Sequence, residues 1–192
     1  MRGSAKVVTA KCLQHLLSHV SVRRQPDRDA LILLLSFKAG LRACEIAGLS
    51  WPMVTKPLGG IAGAMAVSGD IAKNGRPRQI PIHADLRAAL LAQWRRDGRP
   101  QAGPIVVSQK GGHMTAGSVV NWFTKLYAEV GLDGCSSHSG RRTFITNSAR
   151  LVAKVGGCLR DVQELAGHSA LTTTERYIEG DREAQRKLVA LL

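Results

Sequence analysis

His138-Ser139-Gly140-Arg141-Arg142-Thr143 sets an imidazole and a guanidinium three residues apart at the opening of a run with helical apolar spacing. Residues at i and i+3 share one face of a helix, and Ser136 or Ser137 stands where a capping hydroxyl is wanted. The first turn of a helix carries unpaired N–H groups and partial positive charge, so it favours an anion. An arginine fork there fits phosphate oxygens two at a time. Adjacent arginines also occur as plain surface charge; the histidine at this spacing favours a phosphate pocket. The helix is expected over 138–155, stopped by Gly156-Gly157.

Three further segments have the same flavour. Upstream, Gly40-Leu41-Arg42-Ala43-Cys44-Glu45-Ile46 puts Arg42 at the start of a short helix over 41–49, with Glu45 three residues on and able to orient it. Taken alone this reads as a surface ion pair, worth little. Lys73 lies in Lys73-Asn74-Gly75-Arg76, an Asn-Gly signal for a hairpin between strands expected over 61–72 and 79–82. A tip lysine usually serves solubility or edge protection, but Arg76 and Arg78 beside it suit phosphate contacts. Downstream, Leu165-Ala166-Gly167-His168 ends a helix and is expected to expose His168; Thr172 to Tyr177 reads as another short helix. A lone tyrosine is normally structural. The chain has only two, Tyr127 and Tyr177, so the choice of a phenol is narrow.

Farther out, Leu13, Leu16, Leu17 and Val20 fit one helical face, and Asp27 is placed to cap a second helix to Phe37. Helices are also expected over 85–94 and from Thr115 or Ser118 to Val130, and a last one over 182–192. The fold class is therefore mainly α with a small antiparallel β-sheet. Lysine and arginine number 27 against 14 acids, a net charge of +13 in 192 residues, which points to a polyanion. The four cysteines, Cys12, Cys44, Cys135 and Cys158, form no C-x-x-C pair and no Cys/His set with zinc spacing. They read as buried thiols of a reducing compartment. The longest apolar stretch, 30–35, is too short to span a bilayer. A soluble protein of the cytoplasm is the expectation.

Taken together, the four segments resemble the tyrosine recombinase (phage integrase) family in order and spacing, over about residues 27–180. The family's pattern is Arg, Lys, His-x-x-Arg, His or Trp, and Tyr. Here Arg42, Lys73, His138, Arg141, His168 and Tyr177 stand at those positions. The resemblance implies that Tyr177 attacks a DNA phosphate and leaves a 3′-phosphotyrosyl link. It gives Arg42 and Arg141 the phosphate, His168 a further hydrogen bond, His138 the phenol proton and Lys73 the leaving 5′ oxygen. Glu45 supports, while Arg76, Arg78 and Arg142 are expected on DNA. No cofactor and no metal are implied. The partners implied are a double-stranded DNA site, a homo-tetramer upon it, and a second recombinase or accessory protein; membrane is not among them.

Two departures stand out. Gly140 replaces the usual leucine before the second arginine, and Glu179 the common histidine after the tyrosine. Residues 1–26 read as a short basic segment, too few for the core-binding domain most members carry; 27–180 read as the catalytic domain. The helix over 181–192 reads as one exchanged between protomers or packed on its own chain. Rival readings are a type IB topoisomerase, an inactive DNA-binding relative of the same fold, and a nucleic-acid packaging protein that would not need six residues in register.

Overall fold

A computed structural model of the chain describes residues 5–178, together with Arg186, Val189 and Ala190. The apolar spacing of the first segment produces α1 (Ala10–Ser21), capped by Thr9, whose side chain accepts from the Cys12 N–H. Leu16 and Val20 are fully buried, and complete burial of such side chains stabilises by about 1.5–3 kcal/mol each. Both side chains belong to the larger core cluster of the described residues. Val8 is joined to the same body: its N–H donates to Thr143 Oγ1 at 2.8 Å.

The second helix, α2 (Pro26–Lys38), begins two residues earlier than expected, with Gln25 rather than Asp27 at the cap position. Pro26 occupies the first turn, where its missing N–H costs nothing, and Asp27 lies inside the helix rather than capping it. Leu31, Ile32, Leu33, Leu34, Leu35 and Phe37 are all buried, so this helix is apolar around most of its girth and runs through the middle. It is packed by α1, by α3 (Ala43–Gly48), by α4 (Ala84–Arg96) and by α6 (Ser139–Leu151). Helix α5 (Ala116–Glu129) adds Val119, Phe123 and Leu126 to the core and is capped by Thr115, one of the two residues proposed for it.

Among the described residues the sheet is one antiparallel pair, β1 (Ala64–Val67) and β2 (Arg78–Pro81), with Met65 opposite Ile80 and Val67 opposite Arg78. Met65, Val67 and Ile80 point inward, as the two-residue period requires. The first strand is shorter than expected, the second keeps its length but starts one residue earlier, and the Asn-Gly turn is not a tight hairpin. Residues 68–77 form a wide loop, because Ile71 folds back to pack against the core and lies against Gly48. Hydrogen bonds from Ala72 N–H to Ser68 O and from Gly75 N–H to Ala72 O shape the loop internally.

Helix α6 stops at Leu151 and continues only as a 3-10 turn to Val155, shorter than the continuous helix expected. Then come α7 (Leu159–Ala166) and α8 (Leu171–Glu175). Cys158 is exposed and the other three cysteines are half-buried, which corrects the expectation of four buried thiols. The helix expected over 182–192 lies almost wholly outside the described residues. No helix among the described residues is long and apolar enough to cross a membrane.

Candidate active site

The C-terminal end of α7 organises the site. The last carbonyls of a helix lack intrahelical partners and carry partial negative charge. Here three guanidiniums from three different segments meet them. Arg78 Nε donates to Leu165 O at 3.1 Å, Arg141 Nη2 to Ala166 O at 2.6 Å, and Arg42 Nη2 to Gly167 O at 3.5 Å. Arg141 also donates to Gly40 O at 2.7 Å, so α6 is tied to the turn that precedes Arg42. Gly167, at φ +63°, takes the left-handed conformation that ends α7.

Beneath the arginines lies Glu45, fully buried. Arg42 Nη1 donates to its Oε1 at 3.1 Å, and the Arg42 backbone N–H to its Oε2 at 2.8 Å. Arg78 grips the same carboxylate with both Nη atoms, at 2.8 and 2.9 Å. Burial alone would raise the Glu45 pKa, but the hydrogen bonds and charges of Arg78 and then Arg42 overcome it and hold the group below the ordinary carboxylate range. This is not the loose surface pair that the segment suggests in isolation. Removing one partner of such a buried pair costs about 3–5 kcal/mol.

Arg141 is 3% exposed, and the Arg42 side chain is 14% exposed. The Arg141 pKa is pulled down by burial first and by the Arg42 charge second, with Glu45 and Tyr177 opposing. An arginine starts so high that it stays cationic at neutral pH. His138 is the residue immediately before α6, and its N–H donates to Ser136 Oγ at 3.3 Å; neither serine is the cap itself. The His138 ring keeps contact with solvent, yet its packing and then Arg141, Lys73 and Arg42 push its pKa below the ordinary histidine value. Lys73, exposed on the wide loop, is thus among the charges that act on this ring.

His168 is not exposed by Gly167, as the sequence suggested. It is tucked in at 9% exposure, with Nδ1 at 2.9 Å from Thr174 Oγ1. Burial, then Arg141, Arg42 and Arg78, push its pKa down to about 4, so it is neutral at pH 7. If the Thr174 hydroxyl donates to Nδ1, the ring proton sits on Nε2, a neutral donor.

Tyr177 lies just past α8, half-buried, its backbone O accepting from Thr146 Oγ1 at 3.3 Å. Its ring stacks on His168, centroids 5.6 Å apart, and the Arg142 guanidinium lies over it at 5.4 Å. A cleft of about 450 Å³ beside the phenol is lined by Lys6, Arg142, Arg150 and Thr146. Arg76 is exposed on the 68–77 loop. Arg78, expected on DNA, is instead turned inward with its side chain 7% exposed. The period of β2 held that signal: Arg78 shares a face with buried Ile80. The backbone carbonyls of Gly40, Leu165, Ala166 and Gly167 were missed, since no side-chain pattern announces them.

Gly140 is accounted for by packing. A Cβ there would stand 2.2 Å from Ser36 Oγ and 2.8 Å from Phe37 Cδ2. Helix α6 can approach α2 this closely only because residue 140 has no side chain.

Comparison with known proteins bears on the family and the fold. The model of the Phage integrase family matches residues 6–183. The chain is 33% identical to tyrosine recombinase XerC of Bradyrhizobium diazoefficiens over 159 residues, covering 81% of this chain and 47% of that protein. It is 35% identical to XerC of Methylobacterium sp. (strain 4-46), covering 80% and 46%. The chain thus spans about half the length of the curated relatives it matches. Among solved structures it is similar to the Tn1549 transposon integrase in complex with a circular intermediate DNA, with a TM-score of 0.73 at 20% identity over 99% of this chain and 67% of that one. It is likewise similar to a lambda integrase dimer bound to a core site, with a TM-score of 0.71 at 18% identity over 95% and 51%. These structural likenesses speak to the fold.

Proposed function

Since this chain belongs to the phage integrase family, we propose that it is a site-specific DNA recombinase that cuts and rejoins DNA through a 3′-phosphotyrosyl intermediate at Tyr177. The observation that carries the reading is the convergence of Arg42, Arg141 and His168 on the end of α7, with the Tyr177 ring stacked on that histidine. A phosphodiester gains a second negative charge as the nucleophile attacks. Arg42 and Arg141 are fixed cations for that charge, and neutral His168 supplies an N–H without adding one. His138, neutral at pH 7, accepts the phenol proton. The Tyr177 oxygen bonds to phosphorus, the bond to the 5′ oxygen breaks, and Lys73 protonates that oxygen to a 5′-hydroxyl. A second DNA end's 5′-hydroxyl reverses the step, so no external energy source is consumed.

Double-stranded DNA is the substrate in this reading, and Lys6, Arg76, Arg142 and Arg150 lie on the surface that would meet its backbone. Strand exchange between two sites calls for four protomers, and the segment over 181–192 would link neighbours by docking across the interface. Deleting 181–192 tests that link: assembly on DNA unchanged by the deletion removes the exchange. Tyr177→Phe tests the chemistry itself. It should bind DNA as the parent does and form no covalent adduct on nicked duplexes tiling the DNA around the gene; an adduct that persists removes Tyr177 as the nucleophile.

A further inference from the structure

We propose that Arg78 is a positioning residue for strand cleavage: a buried strap that fastens the Glu45 carboxylate to the end of α7 and so holds Arg42 and the Gly167-His168 turn in one frame. The inference rests on the cleavage reading above. Three observations carry it. Arg78 engages Glu45 with both terminal nitrogens, at 2.8 and 2.9 Å, and Leu165 O with Nε at 3.1 Å, so all three nitrogens are committed inside the protein. The carboxylate it holds is the same one that fixes both the side chain and the backbone N–H of Arg42. The strap also lies flat against Gly167: a Cβ there would stand 3.0 Å from Arg78 Cδ and 3.1 Å from its Nε.

The strap crosses three elements distant in the chain, β2, α3 and α7. Without it Glu45 would keep Arg42 but lose its tie to α7, and the backbone that carries His168 would be held to Arg42 only by the long 3.5 Å contact from Arg42 Nη2 to Gly167 O. Lysine cannot substitute, because one ammonium has neither the planar fork for the carboxylate nor the third nitrogen for Leu165 O. A lysine can, however, replace an arginine that merely neutralises a phosphate. The two roles are therefore separable by experiment.

The test compares the parent chain with Arg78→Lys and Arg78→Met on nicked duplexes tiling the DNA around the gene. It measures binding across a salt series, single-turnover adduct formation, and thermal unfolding. The expected result for Arg78→Lys is adduct formation slowed on the order of 10²-fold, the scale of a displaced reacting group, with affinity and salt slope unchanged. Parent-like cleavage by Arg78→Lys overturns the proposal. So does an Arg78→Met salt slope about one phosphate shallower, which would make Arg78 a DNA contact. Should Arg78→Met unfold, Glu45→Gln with Arg78→Met removes both buried charges. That pair should fold, bind and still cleave slowly, and fast cleavage by it overturns the strap. A parent chain that binds but never forms an adduct defeats the reading of Tyr177 instead, while the salt slopes still report whether Arg78 touches phosphate.

Discussion

Gly140→Ala should lower stability, although it trades glycine for the best helix former. Propensity favours alanine by about 1 kcal/mol in a helix interior, and by less in a first turn. Against this, the new methyl carbon would stand 2.2 Å from Ser36 Oγ and 2.8 Å from the Phe37 ring, where ordinary contact begins near 3.4 Å. Both neighbours are buried, so α6 has to move away from α2 by roughly 1 Å, and overpacking of this kind costs about 1–3 kcal/mol. The net loss is about 1–2 kcal/mol, and at about 2–4 °C per kcal/mol for a chain of this size the Tm should fall by about 2–8 °C. Leucine, the residue common at this position in the family, should do worse. Ser36 Oγ is buried without a partner, so Ser36→Ala alone should be neutral or slightly stabilising. Combined with Gly140→Ala it should recover part of the loss. Thermal unfolding of the two single variants and the double gives the coupling directly. A Tm that rises on Gly140→Ala, or a double variant no better than additive, refutes the packing argument.

Acidification from neutral pH should destabilise the fold between about pH 6.5 and 4. His168 has its folded pKa depressed to about 4, so the unfolded chain binds more protons in that window and stability rises with pH across it, by roughly 3 kcal/mol. Denaturant titrations should show this slope, and His168→Asn should flatten it; an unchanged slope in the variant disproves the assignment. Adduct formation should stay on its plateau at pH 7 and fall only below the ordinary histidine range, because the His138 pKa is lowered. A midpoint above 6.5 would contradict that placement. Chelation with EDTA should leave adduct formation intact, and activity lost to the chelator but restored by magnesium would refute the proposed chemistry. DNA affinity should fall steeply with salt, as phosphate contacts release counterions; a flat response would remove the basic face as the DNA site.

Much of the fold was legible where a periodic face was long. The spacing of Leu13, Leu16, Leu17 and Val20 located α1, and the hydroxyl of Thr115 located the start of α5. The partnership of Arg42 with Glu45 followed from their separation, though its burial did not: nothing local tells that Arg78 will arrive from 33 residues away to close over the same carboxylate. The first strand was overextended because Ile71 and Ala72 look like strand residues yet pack as a folded-back loop. His168 looked exposed because a glycine at a helix end ordinarily leads the chain outward; here the Thr174 hydroxyl and the Tyr177 ring hold it in. The side chains named for the candidate site came from pattern, and the carbonyls that aim them came only from coordinates.

One carboxylate among three guanidiniums leaves the pocket with more positive charge than its own walls neutralise. The carbonyls at the end of α7 offset part of that excess, and an anion arriving from outside would offset more. Polyanions should tighten the whole body, not merely occupy its surface. Phosphate or heparin in a storage buffer would then act as a scaffold that raises resistance to heat and proteases before any nucleic acid is added.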